Sequence, residues 1–237
     1  MGHVHHLLGD QEGRGMRLNR PGNRPTTPQQ TLPQRGASLI ELMVGITLLA
    51  LLVGLGIPTF SEWLQNARIR AAAESIQTGL QQAKAEAVRR NRPARFQLVS
   101  SLDSSCTTTT TGTYWLVNLT SNTSPDGSCG NTPDDTTTPF ILQRSPAGAG
   151  GGDLDINASA YVVSFNGLGR QVASQNPTTS IATLTINVKS ASATCLGASG
   201  GTARCLRIVV SPAGEIRMCD PSITGTGVST QTHPTAC

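Results

Sequence analysis

Few side chains in this sequence combine the type and spacing that chemistry requires. One carboxylate, Glu41, stands near the start of an apolar run, "ASLIELMVGITLLALLVGLGIPTF" at 37–60, which contains no basic residue. An ionised side chain at membrane depth costs about 3 kcal/mol even on lenient insertion scales, so this acid marks a function and a partner charge. The six cysteines, Cys106, Cys129, Cys195, Cys205, Cys219 and Cys237, all follow that run, with no CxxC and no Cys/His cluster. Their distribution points to disulfides in an oxidising compartment rather than to zinc. Asp153, Asp155 and Asn157 imitate the opening of a calcium loop, but Ala158 replaces the turn glycine and Ser164 the bidentate glutamate, so no metal site is expected. His3, His5 and His6 read as solvated. His233 has no acid or thiol at catalytic spacing and supports no triad. The runs "TTTTTGT" and "AGAGGGD" join no strand to a helix start and are not phosphate cradles. No catalytic residue and no cofactor is expected, and the chain reads as a non-enzyme.

The remaining chemistry is cationic. Arg170, Arg207 and Arg217, with Arg204, are candidate contacts for a polyanion such as DNA. Overall charge does not argue for one. Residues 1–36 carry Arg14, Arg17, Arg20, Arg24 and Arg35 against Asp10 and Glu12. Beyond them are 13 basic residues (18 minus 5) and 12 acidic ones (14 minus 2), a net of +1.

Four segments position these groups. Residues 1–36, Pro-, Gln-, Gly- and Arg-rich, have no apolar periodicity and read as a disordered leader, starting at Met1 or Met16. Residues 37–60 are long enough to span about 30 Å of hydrocarbon as a helix. The basic leader before them places the N-terminus in the cytoplasm. Pro58, lacking an amide hydrogen, is expected to kink this helix or loosen its preceding turn. Residues 61–92 continue as an amphipathic helix: Ile69, Ala73, Ile76, Leu80, Ala83 and Ala87 step by 4, 3, 4, 3 and 4, one helical face. Arg70–Glu74 and Glu86–Arg90 are spaced to pair, and Asn91 and Pro93 close the helix. From 93 to 237 the period changes to short β-branched stretches near 94, 113, 140, 161, 181, 205 and 215, separated by Gly, Pro, Thr and Asn, a pattern of antiparallel sheet. The fold class is therefore α+β. "SPAG" at 211–214 reads as a hairpin turn. Six cysteines permit fifteen pairings. The favoured set joins Cys106 to Cys129 across the strand near 113, Cys205 to Cys219 about Pro212, and Cys195 to Cys237.

Gly36, followed by Ala37-Ser38-Leu39-Ile40-Glu41-Leu42-Met43-Val44 and by Pro58 in the same helix, resembles the processing motif of type IV pilins and type II secretion pseudopilins. The resemblance implies that prepilin peptidase cuts between Gly36 and Ala37 on the cytoplasmic face and methylates the new amine. The mature chain would have 201 residues (237 minus 36). Family members usually begin with Phe or Met, and Ala37 departs from that. The amine at Ala37 then pairs with Glu41 of a neighbouring subunit in the filament core, neutralising both charges. With "VSFNGLGR" and "RIVVSPAGEIRMCDP", the chain is similar to the FimT/FimU minor pilins and GspH pseudopilins. This implies a pilin-like fold and a single-pass inner-membrane protein with a periplasmic C-terminal domain. It further implies a place near the tip of a thin filament beside other minor and major pilins or pseudopilins. Cys219-Asp220-Pro221 and the cysteine-bearing tail favour the pilus over the secretion machine. Some FimT-like proteins take up DNA through a Gly-Arg-x-Arg element. Here it reads Gly214-Glu215-Ile216-Arg217, an acid in place of the first arginine, which weakens DNA contact.

Overall fold

The computed structural model describes residues 36, 38–121, 123–148, 152–174, 177–223 and 235–237, except the side chains of 55–59. The leader to residue 35, Ala37 and His233 lie outside the described residues. The chain divides into two compact units, Met1–Leu48 and Leu49–Cys237.

Helix α1, Leu39–Arg90, is assigned without interruption through Pro58, whose side chain is not among those described. In the first unit its opening turn is closed by the Leu42 amide donating to the Ser38 carbonyl at 3.1 Å. Leu39, Ile40, Leu42, Met43, Val44, Ile46 and Leu48 are all exposed there. Among the described residues no helix is long and apolar enough to cross a membrane. The described side chains of the apolar run break off after Gly54 and resume at Phe60.

In the second unit the period-3.6 pattern becomes a packed face. Ile69, Ala72, Ala73, Ile76, Leu80, Ala83 and Ala87 are buried. The large members each contribute about 1.5–3 kcal/mol by leaving water, and the alanines let the sheets approach closely. The opposite face is solvated and carries the Arg70–Glu74 pair at 2.8 Å. Glu86 binds both Arg89 and Arg90, and Arg90 also reaches Asp135, fastening the helix end to a loop. α1 stops in a left-handed cap: Asn91 has φ 48, its amide donates to Val88, and the Arg92 amide donates to Ala87. Those two bonds satisfy carbonyls that the last turn leaves open, and Pro93 prevents continuation.

Nine strands follow: β1 Ala94–Val99, β2 Tyr114–Leu119, β3 Ile141–Arg144, β4 Leu154–Ala158, β5 Val162–Phe165, β6 Gln171–Val172, β7 Leu184–Ser190, β8 Leu206–Val210 and β9 Ile216–Cys219. They form a five-stranded sheet, β3-β2-β1-β5-β6, and a four-stranded sheet, β4-β7-β8-β9, with antiparallel pairing throughout. One core joins the helix face to Phe96, Leu98, Trp115 and Val117 of the first sheet and to Ile156, Ile186, Val188, Ile208 and Val210 of the second. β7 alternates buried and half-buried residues, as a strand with one wet face must.

β1 is buried on both faces. Behind the first sheet, Val99, Leu116, Cys106 and Cys129 form a small second core with Leu102 and Tyr114. Beside it Arg95, fully buried, donates to the Asn118 side chain and to the carbonyls of Ser121 and Thr123. Burial pulls its guanidinium down to about 10.

One local expectation, the disulfide pairing, is corrected. The segment that only imitated a calcium loop, Asp153 to Asn157, runs into strand β4, 154–158. Asp155 pairs across the ladder with Lys189 at 3.0 Å. Asp153 accepts hydrogen bonds from Ser190, Ser192 and Gln65, which lower its pKa, Ser192 most strongly. The disulfides are Cys106–Cys129, Cys195–Cys205 and Cys219–Cys237, so the expected 205–219 and 195–237 pairs exchange partners. In the β8–β9 register Arg207, not Cys205, faces Cys219, because the hairpin is centred on Ala213 rather than Pro212. Cys195 is instead brought beside Cys205 by its bridge to Ala203.

Candidate functional site

The "SPAG" turn closes the β8–β9 hairpin as expected. The Gly214 amide donates to the Ser211 carbonyl and the Ser211 amide to Glu215. Gly214 has φ +84, and a Cβ there would overlap the carbonyl oxygen of Gly169. Position 214 therefore needs glycine for backbone conformation and for space. Gly169 belongs to the "FNGLGR" turn, in which the Asn166 side chain accepts from the amides of Leu168 and Arg170. The Gln171 amide donates to the Pro212 carbonyl, and Lys84 Nζ of α1 donates to the Gly214 carbonyl at 2.9 Å. A Cβ on Gly167 would likewise overlap Asn91 Oδ1 at the helix cap. The two segments that carried the family resemblance thus meet at one node, locked to the end of α1.

This node sorts the candidate arginines. Arg170 lies beside Gly214, and Arg217, exposed, follows the same turn by three residues. Glu215, also exposed, stands between Gly214 and Arg217. Arg207 lies on β8 diagonally across the ladder from Arg217, since Arg217 pairs with Val209 and Arg207 with Cys219, about 7–8 Å apart at usual sheet spacing. It is half-buried, and its Nε donates to Asn187 Oδ1 at 2.7 Å. There it lines a shallow groove of about 330 Å³ on the outer face of the four-stranded sheet, with Asn157, Asn187, Lys189 and the Cys195–Cys205 disulfide. The fold puts Arg207 and Arg217 on one face of the β8–β9 hairpin and places Arg170 beside its turn, next to Glu215.

At the other end, Gly36 is exposed and Glu41 lies in the first turn of α1 among exposed aliphatic side chains. Among the described residues no group of three His, Cys, Asp or Glu is placed to hold a metal.

Sequence reasoning missed the notch that seats Trp115. Ser75 and Gly79, one turn apart on α1, leave room for the indole. Trp115 Nε1 donates to Ser75 Oγ at 3.0 Å, and a Cβ on Gly79 would come within 2.6 Å of the ring. The available signal was a glycine inside an otherwise periodic helix.

No curated protein matches the chain. Two crystal structures of the type IV minor pilin FimU of Pseudomonas aeruginosa (strain PAO1) are similar. One is 16% identical over 68% of this chain and 93% of the other, with a TM-score of 0.43. The second is 18% identical over 65% and 93%, with a TM-score of 0.40. The model of the family described as type II transport protein GspH matches residues 72–214, from the buried helix face through the "SPAG" turn. That is 143 of 237 residues (214 minus 71), and the chain belongs to the GspH family of pilin-like proteins.

Proposed function

We propose that this chain is a minor subunit of a type IV pilus filament, processed by prepilin peptidase after Gly36, that primes or caps assembly. One observation carries the reading: α1 has two different surfaces. Its later half buries one apolar face against the sheets, whereas residues 39–54 carry exposed aliphatic side chains and the single acid Glu41. A helix of that kind holds a folded domain at one end and offers the other to bilayer or to like helices. Before assembly, residues 37–60 lie in the inner membrane and the domain lies in the periplasm. On incorporation Glu41 meets the Ala37 amine of a neighbour.

Terminal sequencing of membrane-extracted protein is expected to begin at Ala37. A mature chain starting beyond residue 57 overturns the reading. Glu41→Ala is expected to leave insertion intact, since it makes the segment more apolar, while depleting the subunit from sheared filaments. Normal incorporation refutes the charge pairing. The matched family's description supports a second reading, a pseudopilin of a type II secretion machine. Gene deletion separates the two, abolishing surface filaments in the first case and export of a secreted enzyme in the second.

A further inference from the structure

Of eight aromatic residues (Phe 4, Trp 2, Tyr 2), only Phe60 and Trp63 are exposed, 62% and 64%, and both lie on α1. Their rings are neighbours, with centroids 5.9 Å apart, as spacing by three on a helix allows. The folded domain does not account for them, because the first buried position of the helix face is Ile69, six residues further on. The sequence before them is uncharged from 42 to 61, twenty residues between Glu41 and Glu62. At about 1.5 Å per helical residue that run measures about 30 Å, the thickness of the hydrocarbon layer. The aromatic pair thus falls where such a run leaves hydrocarbon, with the acid at its other end.

We propose that Phe60 and Trp63 form an anchor for the lipid headgroup layer, fixing the depth of α1 in the bilayer before assembly; this rests on the membrane-inserted reading above. Indole and phenyl rings suit that layer because each offers a flat apolar body, and indole adds an N–H for the ester and glycerol oxygens. The occupant is the headgroup–ester boundary of a phospholipid bilayer.

The test uses the full chain, reconstituted at about one copy per vesicle in phosphatidylcholine–phosphatidylglycerol vesicles with acyl chains brominated either near the headgroup or near the chain end. Trp115 is 3% exposed and serves as an internal reference. Trp63 emission is expected to be blue-shifted and quenched about twofold by the shallow bromines, more than by the deep ones, as interfacial indoles are. In Trp63→Phe the remaining emission should be indifferent to either lipid. Flotation with the vesicles but no quenching overturns the anchor while leaving membrane insertion standing. Stronger quenching by the deep bromines overturns it by placing the ring in hydrocarbon. Quenching that disappears as protein density rises, only when helices associate, supports lipid as the first occupant. Failure to float overturns membrane insertion and the anchor with it.

Discussion

Single residues differ in how openly they declare their role. Glu41 is conspicuous because a charge in an apolar run is costly and unexplained by packing. Gly79 is not, because from sequence it shows only as a helix-propensity penalty of about 1 kcal/mol. Its reason is Trp115, which lies 36 residues away and is brought near only by the fold. Gly79→Ala is expected to destabilise the domain by about 1–3 kcal/mol despite the better helix former, because the methyl overpacks the indole. Denaturant unfolding measures it, and an unchanged midpoint would show that the notch has slack. Asp134 gives a pH-dependent case: hydrogen bonds from Thr137, then Thr136, hold its carboxyl at about 2. A folded-state pKa below the unfolded one contributes stability that is present above the unfolded value and lost as pH falls through the folded one. The Asp134 carboxyl resonance is expected to titrate near 2, and Thr137→Val to move it upward. At the hairpin tip, Glu215→Arg exchanges a phosphate repulsion for an attraction next to Arg170 and Arg217. A low-salt gel shift is expected to show weak, salt-sensitive DNA binding in this variant that exceeds the parent, and Arg217→Ala should lower it. No retardation in either parent or variant removes DNA from the partners.

Elements were legible in proportion to their length and the purity of their pattern. The face Ile69, Ala73, Ile76, Leu80, Ala83, Ala87 needed only the helical period, and all six are buried. Seven strands announced themselves by β-branched runs. β4 did not, since "LDINA" carries an acid and an amide on its solvent face and resembles a ligand loop. β6, at two residues, is too short for any period. The double burial of β1 was also hidden, because its outer cover comes from a loop whose composition reads as solvent-exposed. Leu80→Ala, at the centre of the helix face, is expected to cost about 2–5 kcal/mol through lost burial and a residual cavity. A cost below 1 kcal/mol, read from the same unfolding curves, would mean that the helix face contributes little to holding the layers together.

At the scale of the molecule, sequence located all six cysteines in the β region but misjudged two of the three pairs, because register and a single bridge decided them. Peptide mapping without reductant is expected to recover 195–205 and 219–237 linked fragments, and recovery of 205–219 would contradict the hairpin register. The three closed loops span 23, 10 and 18 residues. They are consecutive along the chain, and each lies wholly after α1. No covalent cross-link therefore joins the helix to either sheet. Tension delivered through α1, as when a fibre is pulled against its anchor, meets no disulfide stop at that boundary. The helix–sheet layer is expected to resist such a load through side-chain packing and polar contacts alone, Lys84–Gly214, Ser75–Trp115 and Arg90–Asp135 among them, so the domain has a mechanical release plane that oxidation does not reinforce.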